Sequence, residues 1–567
     1  MPGRRKVDCC EASEHRPWRR SIAIAAWVAA GALAAAGPVG AQGAPAYDVL
    51  IRGGTVIDGT GRPRFRADVA VRGGTIVRVS RTPIAASRAR TVIDAEGRIV
   101  APGFIDLHAH LEPLLRIPSA ESAVRQGVTL ALGGPDGGSP LPLAPYMDSA
   151  QRAGLGINVA YLIGHNVIRE RVMGLENRAP TADELARMRS LVAEGMRDGA
   201  FGLSTGLRYI PGYYSRTDEV VALARVAAAR GGIYTSHLRE EGLGLFEGVG
   251  EAIRIGREAR IPIVLTHHKA VGREMWGQSV RTLAMVDSAR HAGIDVMIDQ
   301  YTYTASQTGL SVLIPPWALA NGDSALKRRM RDPVLKDSIL RGIVALILND
   351  RGGGDIRRVQ FGRVEWKPDL EGKTLYDWAV ERGVPPTPEA AAPLVVEGVL
   401  LGGATMIYHV IDEGDVQRIM QHPQTMIASD GRLTVPGEGA AHPRAYGTFP
   451  RVIGHYVRDV KLLTLEQAVH KMTGMPAARL GLTGYGVVAP GASANLVVFD
   501  ASTVSDRATF TAPHQYPAGI GDVLVNGVSV VAGGVLTDAR PGRVLRHNAR
   551  RMPPRLKRQV TGDAAAR

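Results

Sequence analysis

The sequence predicts an α/β protein: a parallel sheet closed into a barrel, carrying a smaller β domain assembled from both chain ends. Three observations predict this. Residues 47–100 read as short strands parted by glycine turns, such as Tyr47-Asp48-Val49-Leu50-Ile51-Arg52 before Gly53-Gly54. Residues 495–537 repeat that style, with Asn495–Asp500 and Val523-Leu524-Val525-Asn526-Gly527. Between them, residues 101–485 alternate β-branched apolar runs with amphipathic stretches, the pattern of a parallel sheet wrapped by helices. The 567 residues are enough for one large barrel and a smaller companion domain.

The elements follow in chain order. Arg16, Arg19 and Arg20 precede an apolar, small-residue run from Ile22 to Val39, and Val39-Gly40-Ala41 offers a cleavage site before Gln42. Residues 1–41 therefore read as a signal peptide for export, periplasmic or secreted, leaving no stable membrane span once removed. Both cysteines, Cys9 and Cys10, fall in this leader, so the mature chain has no thiolate to offer a metal. The β domain is expected from 47–100 and 486–546, and the barrel from 101–485. Within the barrel, Ile261–Thr266 and Ile294–Asp299 read as strands, and Thr181–Asp198 and Thr217–Arg230 as helices. Pro385, Pro386, Pro388 and Pro393 punctuate a less regular segment of about 320–400, read as an insertion over the barrel mouth. Residues 547–567 form a basic tail.

The formal charge of +14 does not describe the body of the chain. Residues 1–41 hold six basic and three acidic side chains, and residues 540–567 hold nine and one, which leaves only +3 for everything between. Nucleic acid is therefore not expected as a partner.

The chemistry starts at Ala101-Pro102-Gly103-Phe104-Ile105-Asp106-Leu107-His108-Ala109-His110. Side chains alternate faces along a strand, so His108 and His110 point the same way and can grip one divalent ion. A barrel strand delivers such residues to its C-terminal mouth. Asp106 is expected to support the strand end.

This stretch resembles the first barrel strand of the amidohydrolase superfamily. Further stretches resemble its D-aminoacylase branch, the N-acyl-D-amino-acid deacylases: Gly202-Leu203-Ser204-Thr205-Gly206-Leu207, Thr235-Ser236-His237-Leu238-Arg239, Thr266-His267-His268-Lys269, Asp299-Gln300-Tyr301-Thr302-Tyr303, Ala428-Ser429-Asp430-Gly431 and His442-Pro443-Arg444-Ala445-Tyr446. The resemblance implies a (β/α)8 TIM-type barrel on a small β-sandwich. It implies Zn2+, one or two ions per chain, with His237 and His267 as ligands of the tightly held ion and His108 and His110 forming the second position. It implies Asp430 as the catalytic aspartate, and Lys269, Tyr301 and Arg444 as the groups that hold a substrate carboxylate. One departure stands out. Where the branch usually places a cysteine ligand, this chain has Gly133-Gly134-Pro135-Asp136-Gly137-Gly138. Asp136 is taken as a ligand in its place, a harder oxygen donor than thiolate; a loop start without metal is the other reading.

The implied activity is hydrolysis of N-acyl-D-amino acids to a D-amino acid and a carboxylate, with Asp430 as proton shuttle. A dipeptidase of L-Xaa-D-Xaa type, or another amidase needing a free α-carboxylate, fits the same cations. A cyclic amidase is less well matched, because no lysine is assigned as a carboxylated bridge. A non-catalytic binding protein on the same barrel is opposed by the intact histidines. Among the remaining residues, His268 is read as structural, His165 and His409 as packing or pocket-lining, Arg239, Glu240 and Glu241 as groups that orient ligands or sit in a solvated loop, and Gln307 as narrowing the pocket.

Overall fold

The computed structural model describes residues 45–548. The expected leader and the tail beyond 548 lie outside the described residues. Among the described residues, no helix is long and apolar enough to cross a membrane.

The chain is mixed α/β. Both ends meet in one nine-stranded sheet: Leu496–Phe499 runs antiparallel to Ile99–Pro102, with Val498 opposite Val100, and Ile99–Pro102 in turn pairs with Tyr47–Val56. The reason is apolar alternation. Val49, Ile51, Val69, Val71, Val100, Leu496 and Val498 bury on one shared core, whereas Val497, Phe499, Val523 and Val525 join the core of the larger body. A strand buried on both sides reads as a continuous apolar run, as Leu496–Phe499 does.

The larger body is built on parallel strands. Phe104–Asp106, Val128–Gly133 and Asn158–Tyr161 form one sheet. After Leu162 the chain continues into a second sheet of six neighbours: Ile163–Gly164, Gly202–Gly206, Ile233–His237, Ile263–Leu265, Val296–Gln300 and Thr425–Ile427. The last of these leads back to the first strand. Asp430 N donates to His108 O at 2.9 Å, and Gly431–Arg432 pairs in parallel with Ala109–His110.

Helices between the strands follow local rules. Ala182–Asp198 starts at a capping box: Glu184 N donates to Thr181 Oγ1 at 3.2 Å, and Thr181 N donates to the Glu184 carboxylate at 2.7 Å. Asp183 and Glu184 sit in its first turn and Arg197 in its last, as the helix dipole favours. Met188, Val192 and Met196 recur every fourth residue and bury against the strands, stabilising the contact by about 1.5–3 kcal/mol each. Gly199 ends the helix in the left-handed region, φ 109°.

The segment read as an insertion packs into an assembly that starts earlier and ends later than 320–400. It opens with strand Ser306–Gly309 and closes with Thr405–Tyr408, which pair antiparallel with each other, and Val359–Phe361 pairs with the latter. Ser306–Gly309 holds Ser, Gln, Thr and Gly, so no apolar pattern announces it. Helices Pro333–Asn349, Leu375–Glu381 and Pro388–Leu400 bury Ile343, Trp378 and Val395 in a core of their own.

Candidate metal centre and active site

Five strand ends converge. His237 is the last residue of strand Ile233–His237, and His267, His108, Asp136 and Asp430 lie two or three residues beyond theirs. Three of these residues, Asp136, His267 and Asp430, have positive φ of 53°, 38° and 51°. Non-glycine residues occupy that region only where surrounding structure holds them there.

The hold is visible in each case. The Asp136 loop needs Gly134 and Gly137, both at φ 76°, and a side chain at Gly137 would strike Asn166 Oδ1. Ser204 Oγ ties the loop down, donating to Gly134 O at 2.6 Å and accepting from Gly137 N at 3.1 Å. His267 N donates to Asp299 Oδ1 at 2.6 Å. Beside Asp430, Ser429 N donates to Asp106 Oδ1 at 2.9 Å, the Ser429 hydroxyl donates to Asp106 Oδ2, and His108 N also donates to Asp106 Oδ1. Asp106 thus ties the first strand end to the last. Burial raises its carboxyl to about 6, against the hydrogen bonds from Ser429.

The side chains meet around two carboxylates. Asp136 Oδ1 lies 3.5 Å from His108 Nε2 and 3.4 Å from His267 Nε2. Its Oδ2 lies 3.8 Å from His237 Nδ1 and 3.8 Å from His110 Nε2. Asp430 Oδ1 lies 3.4 Å from His108 Nε2 and 3.2 Å from His110 Nε2. Two overlapping groups could each hold a cation: His108, His110, Asp136 and Asp430; and Asp136, His237 and His267. Asp136 belongs to both.

The donor set fits a metal. Both nitrogens of His108 and Asp136 Oδ1 are buried without a hydrogen-bond partner, an arrangement that costs free energy unless something satisfies it. The local field also calls for positive charge: although burial and Lys269 oppose it, Asp136, Asp430 and Glu241 pull the His267 imidazole up to about 9. His237 behaves oppositely, burial pushing it down to about 4. With nitrogen and oxygen donors and no cysteine, the set suits zinc.

The centre opens into a cleft of about 330 Å³, lined among others by Tyr209, Lys269, Gln307, Thr308, Arg351 and Arg444. Arg444 Nη1 donates to Asp430 Oδ2 at 2.6 Å, while its Nε is buried without a partner. Its guanidinium lies 4.8 Å over the Tyr301 ring, whose hydroxyl is also buried and unpartnered. Lys269 Nζ donates to Glu241 Oε1 at 2.6 Å and to His267 O at 2.9 Å, and stands 2.8 Å from His267 Nδ1.

The structure therefore brings together His108, His110, Asp136, His237, His267, Lys269, Tyr301, Arg444 and Asp430. Others lie elsewhere. His268 pairs with Thr282 Oγ1 at 2.8 Å, His165 with Glu219 at 2.9 Å and His409 with Gln360 at 2.9 Å. Arg239 binds Glu251 at 2.9 Å and Glu240 binds Arg208 at 3.2 Å; of that trio only Glu241 reaches the centre. Sequence reasoning missed Arg351, for which no local motif exists, and the contact of the Tyr209 hydroxyl with His237 Nδ1 at 3.3 Å.

Parallel strands that deliver four imidazoles and two carboxylates to one cleft define a metal-dependent enzyme of α/β type. Comparison makes the class specific. The amidohydrolase family matches residues 91–308 and 361–531, and the chain belongs to that family. It is 38% identical over 527 residues to a D-aminoacylase of Alcaligenes xylosoxydans xylosoxydans, covering 89% of this chain and 98% of that one. It is 39% identical over 529 residues to an N-acyl-D-glutamate deacylase of the same organism, covering 88% and 97%. Among solved structures, it is similar to the N-acyl-D-glutamate deacylase of Bordetella bronchiseptica complexed with zinc and a phosphonate inhibitor that mimics the tetrahedral intermediate, with TM-score 0.74, 37% identity, and coverage of 88% of this chain and 99% of that one.

Proposed function

We propose that this chain is a zinc-dependent amide hydrolase that releases a D-amino acid and a carboxylate from N-acyl-D-amino acids. The observation that carries the reading is Asp136 shared between two potential metal groups, with the Asp430–Arg444 pair beside them. The D configuration rests on the relatives, a D-aminoacylase and N-acyl-D-glutamate deacylases. The scaffold of this reading is a (β/α)8 barrel. Two features support it: the chain runs from one parallel sheet into the next at Leu162, and Asp430 returns to His108. The mature enzyme acts outside the cytoplasm, after removal of the leader.

His237 and His267, with Asp136, would hold one zinc ion, and His108 and His110, with Asp136 and Asp430, a second. Bound there, zinc supplies Lewis acidity for the amide carbonyl and lowers the pKa of water to about 7. Asp430 accepts the proton of the attacking water and passes it to the leaving nitrogen, since an amide leaves only as the protonated amine. Arg444, whose Nε has no partner in the protein, is the cation for the substrate carboxylate and Tyr301 adds its hydroxyl, with Lys269 completing the positive wall.

The test is a hydrolysis screen of zinc-loaded protein with matched N-acetyl-D and N-acetyl-L amino acids and with L-Xaa-D-Xaa dipeptides. Turnover of the N-acetyl-D acids is expected. Turnover of L-acids alone contradicts the reading, and preference for the dipeptides replaces deacylase by dipeptidase.

A further inference from the structure

We infer that Glu241 is a positioning residue that sets the orientation of both His237 and His267, and that Arg351 of the segment between residues 306 and 408 holds Glu241 in place. This rests on the reading of those two histidines as metal ligands.

The geometry is two-sided. On one side of the rings stands Asp136, facing His237 Nδ1 and His267 Nε2. On the other stands Glu241: its Oε2 lies 3.5 Å from His237 Nε2 and its Oε1 3.2 Å from His267 Nδ1. Glu241 thus faces both rings from the side away from Asp136: its Oε1 is within hydrogen-bond reach of His267 Nδ1, which Lys269 Nζ also meets at 2.8 Å, and its Oε2 sets a negative charge 3.5 Å from His237 Nε2. A carboxylate beside a ligating ring fixes how the ring points, and here each oxygen meets a different ring.

Glu241 cannot hold that position unaided. It is 2% exposed, and a bare carboxylate at such a place is costly. Two cations offset it: Lys269 on Oε1, which shares that oxygen with the His267 ring, and Arg351 Nη2 on Oε2 at 2.7 Å. Arg351 is itself 2% exposed and follows helix Pro333–Asn349 of the insertion. Lys269 comes from the loop that carries His267; Arg351 comes from an independently packed part of the chain. That part of the chain thus reaches Glu241 through the Arg351 guanidinium.

The experiment measures zinc affinity by competition with a chromogenic chelator, in the full chain and in three variants: Glu241→Gln, Arg351→Met and both together. Glutamine keeps the size but removes the charge and sets an amide N–H against a cation on one side, so neither ring keeps its partner. Glu241→Gln is expected to weaken zinc binding by about 10–100-fold, with an altered absorption spectrum of the cobalt-substituted protein. Arg351→Met is expected to weaken it several-fold, and the double variant to match Glu241→Gln alone, since Arg351 acts through Glu241. Wild-type affinity in Glu241→Gln, or losses that simply add, overturns the inference. Should Glu241→Gln fail to fold, an unchanged zinc affinity and cobalt spectrum in Arg351→Met overturns it equally. An unaltered chain that binds no zinc instead removes the ligand reading beneath it.

Discussion

Arg444 and Asp430 form one ion pair, Nη1 to Oδ2 at 2.6 Å, both buried in the wall of the cleft. The group proposed to read the substrate carboxylate is therefore bonded to the group proposed to move the proton. Burial alone would raise the Asp430 carboxyl; Arg444, with His108 and His267, holds it far below the usual carboxylate range. Asp430 is held as the anion, the form that accepts a proton.

Arg444→Ala is accordingly expected to damage both steps. Loss of one partner of a buried charge pair costs about 2 kcal/mol or more, roughly 30-fold in kcat/KM. For N-acetyl-D-amino acids kcat falls as KM rises. Tyr301→Phe, which leaves the ion pair intact, raises KM with little change in kcat. Steady-state kinetics on both variants check this split, and an equal loss in each variant on an uncharged amide contradicts it.

Asp430→Asn keeps shape but cannot accept a proton. Its kcat should fall by at least ~100-fold, while zinc bound through Asp136, His237 and His267 is retained. Metal analysis beside the rate measurement separates a lost proton shuttle from a lost ion.

Asp136 serves both metal groups, so Asp136→Ala should release metal at both. Partners that merely orient ligands already contribute about 10–100-fold to metal affinity, and a direct ligand is expected to contribute at least ~10-fold. Asp136→Cys supplies a softer anionic donor and should bind zinc at least as tightly as the natural chain. Dialysis against a chelator, followed by metal analysis, ranks the three proteins, and the order Cys, Asp, Ala is expected.

Lys471 offers a stability test away from the metal. Its ammonium is buried, donating to His422 O at 2.7 Å and Thr425 O at 2.9 Å, and burial pushes it down to about 8 from 10.5. Between those values the unfolded chain binds the extra proton, so this group's contribution to stability rises with pH from 8 to 10.5 and is lost as pH falls through 8. Urea denaturation of the natural chain and Lys471→Met at pH 7.5 and pH 10 should show the difference moving in favour of the natural chain, by on the order of 2 kcal/mol. A pH-independent difference excludes it.

Much of the architecture was legible because it is periodic. The apolar strands at both ends announced that they share a sheet, and the alternating middle announced parallel strands with helices between. His108 and His110 were legible as a pair because a strand repeats every two residues. Ser306–Gly309 was not legible as a strand, because a polar strand at a cleft has no apolar side to reveal it.

By itself, the sequence determined which residue types stand at strand ends: four histidines, Asp136 and Asp430, each within three positions of an apolar run. Only the tertiary structure decided which of them share a partner. Asp136 between two groups, Arg444 on Asp430 and Arg351 on Glu241 all join residues from separate elements. Local patterns reflect hydrogen bonding and burial along one stretch of chain. Pairing between distant charges is decided by how the strands and the insertion pack, because only there do desolvated groups find the partners that make their burial tolerable.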